Sequence, residues 1–169
     1  MAAHTPVQNP SRQPGDPACC PSASGIDLWT TRQPGTYLLL IHLAAPATLE
    51  IGRLGQVTLP AGWYVYAGSA LGGLGARISR HARQEKRPHW HIDRLLAAGQ
   101  LVSVVARIGS ARIECQTASI VLVLPGATLP VPRFGASDCR CRAHLVHFEA
   151  RPNLALGSDW QFVPVHPSD

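Results

Sequence analysis

The sequence predicts an α/β fold of the α+β type, a small and mainly antiparallel central sheet flanked by helices. Three observations predict it. Short aliphatic or aromatic runs are closed by Pro or Gly, as strands are; "TLEIGRLGQVTL" holds two short segments around Gly52 and Gly55, as a hairpin does; and Leu71, Leu74, Ile78 and Ala82 recur at helical spacing.

The elements follow in order. "TYLLLIHLA" (Thr36 to Ala44), stopped by Pro46, suits a buried strand. After the hairpin, Pro60 and Gly62 introduce "WYVYAG", whose aromatic and β-branched residues favour a second long strand. The Leu71–Ala82 stripe predicts a helix that starts among the glycines and runs to about Gln84, with Arg77 and His81 one turn apart on one face. A further helix is signalled by Pro88 near its first turn, by Ile92, Leu95 and Leu96, and by Gly99 as its stop. "LVSVVARI" reads as a strand, "IECQTASIVLVL" as a helix despite its β-branched end, and "HLVHFEA" as a last strand after a Pro- and Gly-rich loop.

The length of 169 residues, 46% hydrophobic, supports one core. Residues 1–33, rich in Pro, Ser and Gly without an apolar period, are expected to be a disordered tail, and 34–150 the domain. Residues 151–169 are expected to be mostly irregular, with Trp160 and Phe162 able to dock on the domain. No apolar leader region or bilayer-length run is present, and five cysteines, an odd number, make no secreted disulfide framework. The expectation is a soluble protein of the reducing cytoplasm.

The net charge of +5 is modest, but its distribution is uneven. Arg77, Arg80, Arg83, Lys86, Arg87 and Arg94, with His81, His89 and His91 among them, face only two acids in that region, Glu85 and Asp93. Such a patch suits phosphate contacts, and equally a solvated helix face. The glycines of "GSALGGLGAR" match neither a Walker loop nor a dinucleotide fingerprint, so they are expected to turn the chain from strand to helix.

"GTY" (Gly35–Tyr37) and "YAG" (Tyr66–Gly68), followed by an arginine and a histidine four positions later, resemble the GIY-YIG nuclease superfamily. "GWYVYAGSA", "RISRH", "HWHIDRLL", "IECQ" and "FGASDCRCRAHL" together resemble an uncharacterised branch of it, one sometimes appended to DNA glycosylases of the endonuclease III type. The resemblance implies a GIY-YIG-like sheet with the hairpin inserted between the two tyrosine motifs, and a metal-dependent DNA endonuclease acting in repair or DNA processing. It implies that Tyr37 and Tyr66 face one another from neighbouring strands, that Arg77 contacts the scissile phosphate, that His81 stands one turn later, and that Glu114 holds Mg²⁺ or Mn²⁺. DNA is the implied partner, with Arg80, Arg83, Lys86, Arg87, His89 and His91 as its contacts and a repair glycosylase as an associated protein.

Phosphodiester cleavage needs a water relieved of its proton, a cation for the developing charge and an acid or metal for the leaving oxygen. A tyrosine serves as base only if nearby positive charge lowers its pKa from about 10, a task for Arg77 and the metal. The sequence departs from the superfamily pattern in the long Tyr37–Tyr66 interval and in lacking an evident late polar residue, for which "SDCRCRAH" is the substitute. That segment also supports another hypothesis. Cys139, Cys141 and His144, with Cys115 beside Glu114, supply zinc-type ligands at an uncommon spacing, against buried packing as the plain alternative. A nucleic-acid-binding module without turnover, zinc-stabilised, is the alternative to an enzyme. His89, His91 and Asp93 do not share one helical face, so they are not expected to form a metal site by themselves.

Overall fold

The computed structural model describes residues 26–165. They form an α+β domain with the order β1 (Gly35–Leu43), β2 (Ala47–Glu50), β3 (Gln56–Leu59), β4 (Gly62–Ala70), α1 (Leu74–Ala82), α2 (His91–Ala98), β5 (Gln100–Ile108), α3 (Glu114–Leu122), β6 (Leu145–Phe148) and β7 (Gln161–Pro164). The main sheet has five strands in the order β6-β4-β1-β5-β7, and every adjacent pair is antiparallel. β2 and β3 form a separate two-stranded hairpin between β1 and β4.

β1 is central and buried on both faces, which is why its sequence is a continuous apolar run rather than an alternation. Tyr37, Leu39, Ile41 and Leu43 pack with Leu74 and Ile78 of α1, Ile92 and Leu95 of α2, and Leu59 of the hairpin. Leu38 and Leu40 point the other way, into a cluster with Ala118 and Val121 of α3 and Phe148 of β6. Two helices thus cover one face and the third covers the other. Pro88 lies ahead of α2, and Leu71 lies outside α1 and is exposed.

The expected tails contribute more than composition suggested. Residues 1–25 and 166–169 lie outside the described residues, but 26–33 are docked on the domain: Leu28 is buried, and the Asp27 carboxylate accepts hydrogen bonds from Trp29 N and Thr30 Oγ1 at 2.9 and 2.8 Å. The first N–H groups of α1, at Leu74 and Gly75, donate to the carbonyls of Gln33 and Thr31, each at 2.9 Å. Those bonds satisfy donors that no side chain caps. Glycine at 75 permits this approach, because a Cβ there would come within 2.6 Å of the Trp29 carbonyl oxygen. At the other end, β7 adds an edge strand by pairing with Ser103–Ala106, so the paired sheet extends past residue 150. Trp160 packs on the α3 side of the core while Phe162 is exposed. Among the described residues, no helix is long and apolar enough to cross a membrane.

Candidate functional site

The antiparallel register of β1 and β4 sets Tyr37 opposite Gly68 and Leu39 opposite Tyr66. A Cβ at Gly68 would lie 2.5 Å from the Tyr37 hydroxyl oxygen, so the absence of a side chain there lets the Tyr37 ring lie across β4. Tyr37, Tyr66, Gly68, Arg77, His81, His89, His91 and Glu114 all line one cavity of about 320 Å³. Trp90, Ser137, Asp138 and His144 complete much of its wall.

Within it the groups are held by specific contacts. The Tyr37 hydroxyl and His81 Nε2 are 2.9 Å apart, both buried. His81 Nδ1 has no hydrogen-bond partner among the described residues and lies 3.9 Å from Asp93 Oδ1. Burial drives the His81 pKa down to about 3, against the pull of the Asp93 carboxylate, so the imidazole is neutral at pH 7. Arg77 and Arg80 both place their guanidinium carbons over the Trp90 ring, 4.2 and 4.1 Å from its centroid.

Arg77 by itself does not lower the tyrosines, a task expected of it together with a metal. Arg77 does favour the ionised form of both, but burial outweighs it, lifting Tyr66 to about 12 and Tyr37 further above its ordinary value. Both hydroxyls are therefore protonated at neutral pH in the protein alone.

The basic segment divides. Arg80 is turned inward, donating from both terminal nitrogens to Asp93 at 3.0 and 2.9 Å. Lys86 Nζ donates to the carbonyls of His81 and Arg83 at 2.7 and 3.0 Å. Arg83, Arg87, His89 and Arg94 are exposed, and the His91 ring packs edge-on to Phe134. In the sequence Asp93 stands as one of two acids in a basic run and as a neighbour of His89 and His91 not expected to form a metal site with them. It is the hub of that run: its Oδ2 also accepts from the N–H groups of His89 and Trp90, fastening the start of α2. Burial would raise its pKa, yet these bonds hold it down at about 2.

Glu114 opens α3, and its Oε2 is buried with no hydrogen-bond partner among the described residues. Beside it, Cys115 comes together with Cys139, Cys141 and His144, whose ligand atoms all lie within 4.8 Å of one another. These four residues form a set that could hold a metal ion, from positions whose spacing in the chain gave that site little weight. Burial raises the Cys115 thiol and lowers the His144 imidazole. Asp138, Trp90 and Arg133 were not anticipated; the first is one of few acids in the chain, and the second the aromatic inside the basic run.

Residues 36–159 match the family model described as domain of unknown function DUF123. The chain belongs to that family. The DUF123 match runs from the second residue of β1 past the end of β6 and takes in every residue of the cavity named above. No curated protein and no solved structure matches the chain.

Proposed function

We propose that this DUF123 chain is a metal-dependent endonuclease of the GIY-YIG type that cleaves DNA phosphodiester bonds. The observation that supports it best is the shared cavity: Tyr37, Tyr66, Arg77, His81 and Glu114 come from β1, β4, α1 and α3 and line one pocket. Residues scattered by packing alone have no reason to converge in this way.

Each group has a task in that reading. Arg77, braced on Trp90, neutralises the phosphate. The unpartnered Glu114 Oε2 suits a hard cation, and Mg²⁺ or Mn²⁺ held there would polarise a phosphoryl oxygen and lower the pKa of bound water. Tyr37 would act as the base once a bound cation beside Arg77 offsets the burial that keeps its hydroxyl protonated: its own proton would go to solvent, and it would then take the proton of the attacking water, with His81 Nε2 holding it in place. The new bond from water oxygen to phosphorus forms as the ester bond breaks, and the Tyr66 hydroxyl gives its proton to the leaving oxygen.

The test is nicking of supercoiled plasmid and of branched and single-stranded oligonucleotides with Mg²⁺, Mn²⁺ or chelator, comparing wild type with Glu114→Ala. Metal-dependent cleavage absent from the variant supports the proposal. Salt-sensitive DNA binding with no cleavage of any substrate replaces it with a binding module that uses the exposed Arg83, Arg87 and Arg94.

A further inference from the structure

The cluster behind the cavity has the dimensions of a closed metal site. Cys115 Sγ and Cys139 Sγ lie 3.6 and 3.5 Å from the same atom, His144 Nε2. A neutral imidazole nitrogen offers either one lone pair or one N–H, so His144 Nε2 by itself satisfies at most one of the two thiols that converge on it. A cation among them would engage both sulfurs and the nitrogen at once. Zn–S bonds of about 2.3 Å and Zn–N bonds of about 2.0–2.1 Å at tetrahedral angles place sulfur and nitrogen about 3.5 Å apart.

The backbone around the cluster is fixed independently of any ion. Arg133 adopts a left-handed φ of 65°, and its Nη1 donates to the carbonyls of Cys139 and Cys141 at 2.7 and 3.0 Å. His144 is held on both sides, its N–H donating to Phe134 O at 2.8 Å and its carbonyl accepting from Ala67 N of β4 at 2.9 Å. Two thiols are thus presented by a braced loop, the imidazole by the entry to β6, and the third thiol by the first turn of α3.

We propose that Cys115, Cys139, Cys141 and His144 bind one structural Zn²⁺. Three thiolates and an imidazole are the soft, tetrahedral set that zinc takes in structural sites, with no position left for water or substrate. The three thiol protons leave to solvent on binding. The ion cross-links the start of α3 to the loop before β6. Since Cys115 follows Glu114 and His144 also lines the cavity, it fixes the wall on which Glu114 stands. This site is separate from the hard-cation position proposed at Glu114, and its existence does not depend on the nuclease reading.

The full chain, purified under reducing conditions without chelator, is measured for zinc by mass spectrometry, and the metal-free chain is titrated with Co²⁺ while visible absorption is recorded. About one zinc per chain and the intense bands of tetrahedral thiolate-bound cobalt are expected. The Cys139→Ser/Cys141→Ser variant should lose at least about tenfold in bound zinc, whereas Cys19→Ser/Cys20→Ser should keep it. If the first variant does not fold, the wild-type cobalt spectrum decides. Negligible zinc with no tetrahedral cobalt bands overturns the proposal, as does full zinc retention in a folded Cys139→Ser/Cys141→Ser chain. No DNA enters either measurement, so failure here is distinct from failure of the nuclease reading.

Discussion

The hydroxyl of Tyr37 and Nε2 of His81, 2.9 Å apart, join the central strand to the last turn of α1 inside the core. Removing either partner strands a buried polar group. Tyr37→Phe should lower stability by about 1–3 kcal/mol in urea unfolding, since the imidazole loses its one hydrogen-bond partner among the described residues. In the nicking assay it should reduce cleavage by about 10²–10⁴-fold. A variant that nicks at the wild-type rate would remove Tyr37 from the proton path.

His81 also sets an acid limit on the fold. In the unfolded chain its pKa is the ordinary 6.5 and in the folded one about 3, so between those values the unfolded state binds more protons. Its contribution is therefore complete above pH 6.5 and is lost as pH falls toward 3, at up to about 1.4 kcal/mol per pH unit. Asp93, lowered from 3.8 to about 2, continues the loss at lower pH. Urea midpoints from pH 7 to 4 should fall in wild type and fall less steeply in His81→Gln; parallel profiles would show that His81 is not the group that titrates.

Arg80 separates the two readings of the basic segment. It binds the buried Asp93 through both terminal nitrogens, and Arg80→Ala leaves that carboxylate without its cation. A loss of about 3 kcal/mol is expected, with the salt dependence of DNA binding unchanged. A shallower salt slope with stability retained would instead make Arg80 a phosphate contact.

Glu114 should show the opposite pattern. Its Oε2 is buried without a donor among the described residues, so Glu114→Gln is expected to be as stable as wild type or up to about 1 kcal/mol more stable, while metal-dependent nicking disappears. A clear loss of thermal stability would identify the carboxylate as a structural group.

At Gly68 any side chain competes with Tyr37. Gly68→Ala should cost about 1–3 kcal/mol, because the added methyl would sit 2.5 Å from the hydroxyl and 2.6 Å from Cζ. Double-mutant thermodynamics with Tyr37→Phe should show coupling; additive losses would mean that the ring does not rest on this glycine.

Much of the fold is legible in local pattern, because burial imposes periodicity. The apolar run of β1, the hairpin, the Leu74–Ile78 stripe of α1, the Gly99 stop of α2 and the helical form of α3 all follow from which positions must face the core. The interval of four between Arg77 and His81 likewise places both on one side of α1, and both reach the cavity. Local pattern determined that much. Tertiary structure alone decided the rest: residues 26–33 supply carbonyls to α1, β7 pairs with β5, Arg80 turns toward Asp93, and Cys115 meets Cys139, Cys141 and His144. Each of these joins segments whose partners are remote in sequence, and neither periodicity nor propensity carries information about a partner that only chain reversal brings within reach. The tyrosine pKa values were decided there too, since the burial that outweighs Arg77 belongs to the assembled core.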